Sequence, residues 1–159
     1  MEIDDSVAHT GKKSLKVVGI VATGTPWHTK VRHESVPVEN GKTFTVAFWA
    51  KVDAEEEQSR EVDVSVQLQD DEWPGSYNNT IVIDSTDWKE YTDTFAITAD
   101  VVESARIGLS VAQSDVDFWI DDFRFFEGEP VVDEIKEAEK EVSPMDKLPA
   151  SWGKIKAGY

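Results

Sequence analysis

Cysteine is absent from all 159 residues. That excludes disulfide staples, thiol catalysis and thiolate metal sites, and it leaves the compartment open. No apolar run approaches the roughly 18–20 residues that a helix needs to cross a bilayer. No basic stretch followed by an apolar one opens the chain, so no signal peptide is read. Basic residues are scarce: 16 Lys and Arg stand against 32 Asp and Glu, a formal charge of −16. Such a surface repels phosphate backbones and anionic membranes, and no local basic patch is legible that would reverse this. Nucleic acid and membrane are therefore not expected partners, whereas a neutral ligand or a cation is easier to accommodate. What is present is ordinary for a globular chain: 40% apolar residues, and length enough for one domain with a core.

Helix signals are missing from Ser14 to Phe126, and strand signals take their place. "TFTVAFWAKV" (43–52) sets Phe44, Val46, Phe48 and Ala50 against Thr43, Thr45, Ala47 and Trp49. "EVDVSVQLQD" (61–70) sets Val62, Val64, Val66 and Leu68 against Asp63, Ser65, Gln67 and Gln69. Period-2 alternation of this kind marks half-buried strands. Similar segments are "SLKVVGIV" (14–21), "WHTKVRHESVPV" (27–38), "NTIVID" (79–84), "KEYTDTFAIT" (89–98), "ARIGLSVAQ" (105–113) and "DFWIDDFRFF" (117–126). Pro37 marks an edge strand or a strand end. About eight short strands with polar turns predict an all-β antiparallel sandwich or barrel, each sheet covering the core with one face.

The pattern changes at Gly128. Val132, Ile135, Ala138 and Val142 recur at helical spacing in "EPVVDEIKEAEKEV" (129–142), and Pro144 ends the run. Residues 143–159 show no period and read as a linker or a strap. The expected organisation is a sandwich over 1–128 and a helix with tail over 129–159.

"AHTGKKSLKV" (8–17), "VPVENGKTFTVAFWAKVD" (36–53), "TDWKEYTDTFAIT" (86–98) and "ARIGLSVAQSDVDFWIDDFRFFEG" (105–128) are ordered and spaced as in a known family. The chain resembles the jelly-roll carbohydrate-binding modules of the family 4, 9, 16 and 22 type. The resemblance implies a secreted, non-catalytic, monomeric β-sandwich that binds polysaccharide across one concave sheet and is usually fused to a glycoside hydrolase. It also implies a structural calcium. The opening strand usual in such modules, with an Asn-Gly-x-Phe-Glu type motif, has no counterpart in "MEIDDSVAHTGKK".

A sugar ring has an apolar C–H face and a rim of hydroxyls, so a binding module needs exposed rings beside planar polar side chains. "QLQDDEWPGSY" (67–77) offers both: Gln67 and Gln69 on the outward side of their strand, Trp73 and Tyr77 in the loop above. The competing reading folds Trp73 over the core edge. Alternation around Val31 puts His28, Lys30 and Arg32 outward and Trp27 inward, but Trp27 follows Pro26 at a strand start, where alternation need not hold. In the resembling modules a strand begun by such a Trp lines the cleft, which makes Trp27, His28 and Arg32 candidates; their other reading is an ordinary solvated face. Trp49, Trp88 and Trp119 are expected to pack.

Two adjacent carboxylates in "IDDF" (120–123) need a partner if buried. The resemblance implies that one of Asp121 and Asp122, preferentially Asp121, holds calcium; hydrogen bonding without metal is the alternative. His9, His28 and His33 match no zinc spacing. Asp115 and Asp117 lack the Glu-based strand motif of sandwich glycosidases. The expected function is binding of neutral polysaccharide, β-glucan or xylan in type. A structural or adhesive sandwich is the alternative, and a glycan-active jelly-roll enzyme a more distant one.

Overall fold

The computed structural model describes residues 1–54, 58–68, 75–98 and 105–130. Nine strands lie among them: β1 (Glu2–Asp4), β2 (Ser14–Val17), β3 (Lys30–Val36), β4 (Thr43–Val52), β5 (Arg60–Leu68), β6 (Gly75–Ile83), β7 (Lys89–Ala96), β8 (Ala105–Ser110) and β9 (Phe118–Glu127). They form two antiparallel sheets, one ordered β1-β2-β9-β4-β7 and the other β3-β8-β5-β6. This is the expected sandwich, with local differences. Glu2–Asp4 pairs with β2, although no alternation announces it. Pro26–His28 forms a 3-10 turn rather than the start of a strand, because Pro supplies the φ of a helical first turn. The helix expected over 129–142 lies, from residue 131 on, outside the described residues, as does the tail.

The core sits between the sheets. β4 contributes Phe44, Val46, Phe48, Ala50 and Val52, and β5 contributes Val62, Val64 and Val66, all buried and all on the face that the alternation assigns. Ile107 and Leu109 of β8 and Phe118 of β9 meet them. Each Val, Leu, Ile or Phe side chain among them contributes about 1.5–3 kcal/mol through burial.

One arginine closes the end of this core. Arg60, at the start of β5, is fully buried. Its guanidinium donates to the carbonyls of Val111 and Val116 and lies over the Phe118 ring, 4.4 Å from the centroid. It clamps the loop between β8 and β9, and that loop positions the site described next.

Gly108 has a steric reason. A Cβ there would come within 2.2 Å of the Val31 carbonyl and 2.7 Å of the Arg32 Cα. Glycine alone lets β3 approach β8 this closely. A bulge in β9 sets Asp122 and Phe123 opposite Phe48, with Asp122 at φ 49°.

Candidate functional site

Strand pairing aligns the outward side chains of the four-stranded sheet in rows. Lys30, Ser110, Asp63 and Thr80 stand side by side across β3, β8, β5 and β6. The next row is Arg32, Gly108, Ser65 and Asn78, and beyond it Arg106 pairs with Gln67. With no side chain at Gly108, the middle of the face stays low. A cleft of about 410 Å³ lies over it, lined by Trp27, Lys30, Asp63, Gln67, Asn78 and Ser110 among others. A dimple of only about 10 Å³, lined by Arg32, Arg106 and Gly108, adjoins the cleft through the shared residues Lys30, Ser65 and Gln67.

Trp27 stands at the mouth of this cleft, 64% exposed. Its backbone is fixed although its ring is open. Ala112 N donates to Pro26 O at 3.1 Å, Val111 N to Thr29 O at 2.9 Å, and His28 N to Thr25 O at 3.1 Å. Residues 111 and 112 belong to the loop that Arg60 holds, so a buried arginine positions an exposed ring. His28 meets Trp27 edge-on at 6.4 Å and engages Thr23 Oγ1 through Nδ1 at 3.0 Å, which turns it into a brace for the 23–29 turn.

The floor is polar and organised. Asp63, only 8% exposed, accepts from Thr80 Oγ1 at 2.7 Å and from Gln113 Nε2 at 3.1 Å. Gln67 projects outward as the alternation predicts and lines the cleft. Arg32 also faces outward and pairs with Glu34 at 2.9 Å, while Arg106 reaches the same carboxylate at 3.3 Å. Burial pushes the Lys30 ammonium down from the ordinary lysine value, and the charges of Arg32 and Arg106 push it the same way. Lys30, Arg32 and Arg106 thus form a local basic patch. None is visible in the linear sequence, and only the pairing of β3 with β8 makes it.

Tyr77 is placed differently from expectation. It lies within β6, not in a loop, opposite the core residue Val66, and so turns toward the interior. Its ring stacks on Phe95 at 3.9 Å and 7°, and its hydroxyl donates to Asp93 Oδ2 at 2.9 Å. Burial and the Asp93 charge push its pKa up to about 12. Tyr77 borders the cleft, but one face of its ring is already covered. Gln69 and Trp73 lie outside the described residues, between Gln67 and Gly75.

The Asp121–Asp122 pair lies on the other sheet. Asp121 Oδ2 accepts from His9 N at 2.9 Å and Thr10 N at 3.2 Å, and its Oδ1 accepts from Asp122 N at 2.8 Å. Asp122 Oδ1 accepts from Thr10 Oγ1 at 2.7 Å, and its Oδ2 lies 2.8 Å from His9 Nδ1. The "AHTGKK" turn meets these carboxylates with N–H and O–H donors. Asp121 thus accepts three hydrogen bonds in this arrangement. Among the described residues, no group of three His, Asp or Glu side chains is arranged to hold a metal.

The outer face of the five-stranded sheet also carries Trp49, Trp88 and Trp119. Trp119 is 7% exposed, donates Nε1–H to Asp4 Oδ2 at 2.8 Å, and lies between the ammonium groups of Lys16 and Lys51 at 4.7 and 5.1 Å. His9 stacks on Trp49 at 3.8 Å and tilts against Trp88 at 5.9 Å. All three are packed, as expected, although on the outside of the sandwich rather than in its core.

The family model CBM_4_9, a carbohydrate binding domain, matches residues 1–114. No curated protein matches. Among solved structures, a CBM4 structure is 20% identical with a TM-score of 0.63, covering 79% of this chain and 78% of its own. The CBM22-1 xylan-binding domain from Paenibacillus barcinonensis Xyn10C is 14% identical with a TM-score of 0.60, covering 82% and 81%. The CBM22-1–GH10 modules of Clostridium thermocellum xylanase 10B, complexed with xylohexaose, are 14% identical with a TM-score of 0.59, covering 80% of this chain and 24% of that one. At these identities the solved structures establish the jelly-roll fold.

Proposed function

The chain belongs to the CBM_4_9 family of carbohydrate-binding domains, and from that premise we propose that the outer face of its four-stranded sheet holds a β-linked polysaccharide of the xylan or β-glucan kind without altering it. The observation that carries this reading is Trp27, open to solvent at the mouth of a polar cleft on a fixed backbone. Its indole face suits the C–H face of a pyranose, and a rigid ring loses little entropy on binding. Gln67, Asn78 and Ser110 suit the hydroxyl rim as amide and hydroxyl partners, and Asp63 can accept from a sugar hydroxyl. We extend the proposal to Trp73 and Gln69, which lie outside the described residues, as a second ring and amide for the same ligand. The shallow groove leaves much of each sugar in water, so affinity is modest.

The role that follows is delivery. A domain that holds insoluble chains raises the local concentration of substrate for an attached glycoside hydrolase. Secretion belongs to the same proposal. The test is native affinity electrophoresis through gels containing laminarin, mixed-linkage glucan, xylan, mannan or hydroxyethyl cellulose. Retardation in at least one gel is expected, with xylan or a β-glucan foremost. Unretarded migration in every gel would refute the reading.

A further inference from the structure

The basic patch on the proposed binding face calls for a ligand of its own. The chain as a whole carries −16, yet pairing of β3 with β8 sets Lys30, Arg32 and Arg106 around the dimple that adjoins the cleft. Among the described residues, the carboxylates facing them are Glu34, shared between Arg32 and Arg106, and Asp63, whose Oδ1 is engaged by Thr80 and Gln113. Lys30 makes no ion pair among the described residues, and it lines both the cleft and the dimple. A half-buried ammonium beside two guanidinium groups is an unfavourable arrangement when left alone. An anion seated there would relieve it.

We propose that the groove recognises a β-linked chain bearing uronic-acid groups, with a neutral sugar stacked on Trp27 and a uronate carboxylate held at Lys30 beside Arg106. This rests on the reading of the cleft as a polysaccharide site and names the kind of chain it takes. The occupant is a sparsely charged glycan rather than a polyanion, because the negative field of the whole protein opposes dense negative charge while one carboxylate meets the local cations. The planar guanidinium of Arg106 suits a carboxylate, and Lys30 adds a point charge that reaches into the cleft.

The test compares glucuronoxylan with the same polymer after carbodiimide and borohydride reduction of its carboxyl groups, by affinity electrophoresis and calorimetry at low and high salt. At low salt, the carboxyl-reduced polymer is expected to bind about fivefold more weakly, and about 0.5 M NaCl is expected to close most of that gap. Lys30→Met, which keeps the apolar stem, is expected to bring the two affinities together. Equal affinity of the parent protein for both polymers at low salt would overturn the inference and leave the polysaccharide reading standing. A preference retained in Lys30→Met would overturn the placement of the carboxylate. Binding to neither polymer would overturn the inference, and the polysaccharide reading falls with it only if the laminarin, mixed-linkage glucan, mannan and hydroxyethyl cellulose gels also fail to retard the protein.

Discussion

The two outer faces of the sandwich use the same residue type in opposite ways. On the five-stranded sheet, Trp49 and Trp119 are roofed by the chain's own N-terminal segment and by lysine side chains. His9 lies flat on Trp49, and Asp4 takes the Trp119 indole N–H. On the four-stranded sheet, Trp27 is held through its backbone, and its ring, met edge-on by His28, is largely open to solvent. Burial of the side chain separates a packing tryptophan from a platform, and the strand pattern alone does not give it. The covered face also explains how adjacent carboxylates at Asp121 and Asp122 are tolerated: the same segment that covers the rings supplies their donors.

The comparison breaks most severely at Arg60, which serves the open face from inside. Arg60→Ala removes two donors to buried carbonyls and leaves a cavity under Phe118. A loss of about 3–5 kcal/mol is expected from urea unfolding, together with weaker glycan binding as the 111–117 loop loosens. Wild-type stability in this variant would remove the link between core and site.

Trp27→Ala should separate the two properties. Glycan affinity is expected to fall about tenfold or more, with the melting temperature unchanged, since the ring contributes little to packing. Trp49→Ala should do the reverse. Identical behaviour of the two variants would erase the distinction between the faces.

The smallest effect belongs to Asp4. The Ser6 hydroxyl and the Trp119 indole hold its carboxyl well below the ordinary aspartate value. A depressed carboxylate contributes stability that is present above about pH 4 and lost as pH falls below it, because the unfolded chain takes up the proton first. Asp4→Asn is therefore expected to lower the melting temperature slightly at pH 7, to flatten its decline in acid, and to leave glycan binding as it was. A melting curve with the parent's acid dependence would show that the roof over Trp119 does not rest on this carboxylate.

Much of the fold is legible in the strands because alternation is local. β4 and β5 assign their own inward faces through Phe44, Phe48, Val62 and Val66. The outward direction of Lys30, Arg32 and Gln67 follows from the same rule. Tyr77 escaped it because Pro74–Gly75 reads as the start of a loop, whereas β6 already begins at Gly75, and a register shift beside Val66 decides which way the ring turns. The basic patch was not legible at all, since Arg32 and Arg106 lie on strands far apart in sequence that meet only as neighbours in one sheet. The partners of Asp121 and Asp122 are equally remote, on a turn near the other end of the described chain.

The most direct measurement is a heteronuclear NMR titration of the tryptophan indole N–H signals with xylohexaose and mixed-linkage gluco-oligosaccharides. The account predicts that the Trp27 signal shifts with ligand while those of Trp49, Trp88 and Trp119 stay in place. Movement of the Trp49, Trp88 or Trp119 signals with Trp27 unmoved would contradict it, and would transfer the binding site to the five-stranded sheet.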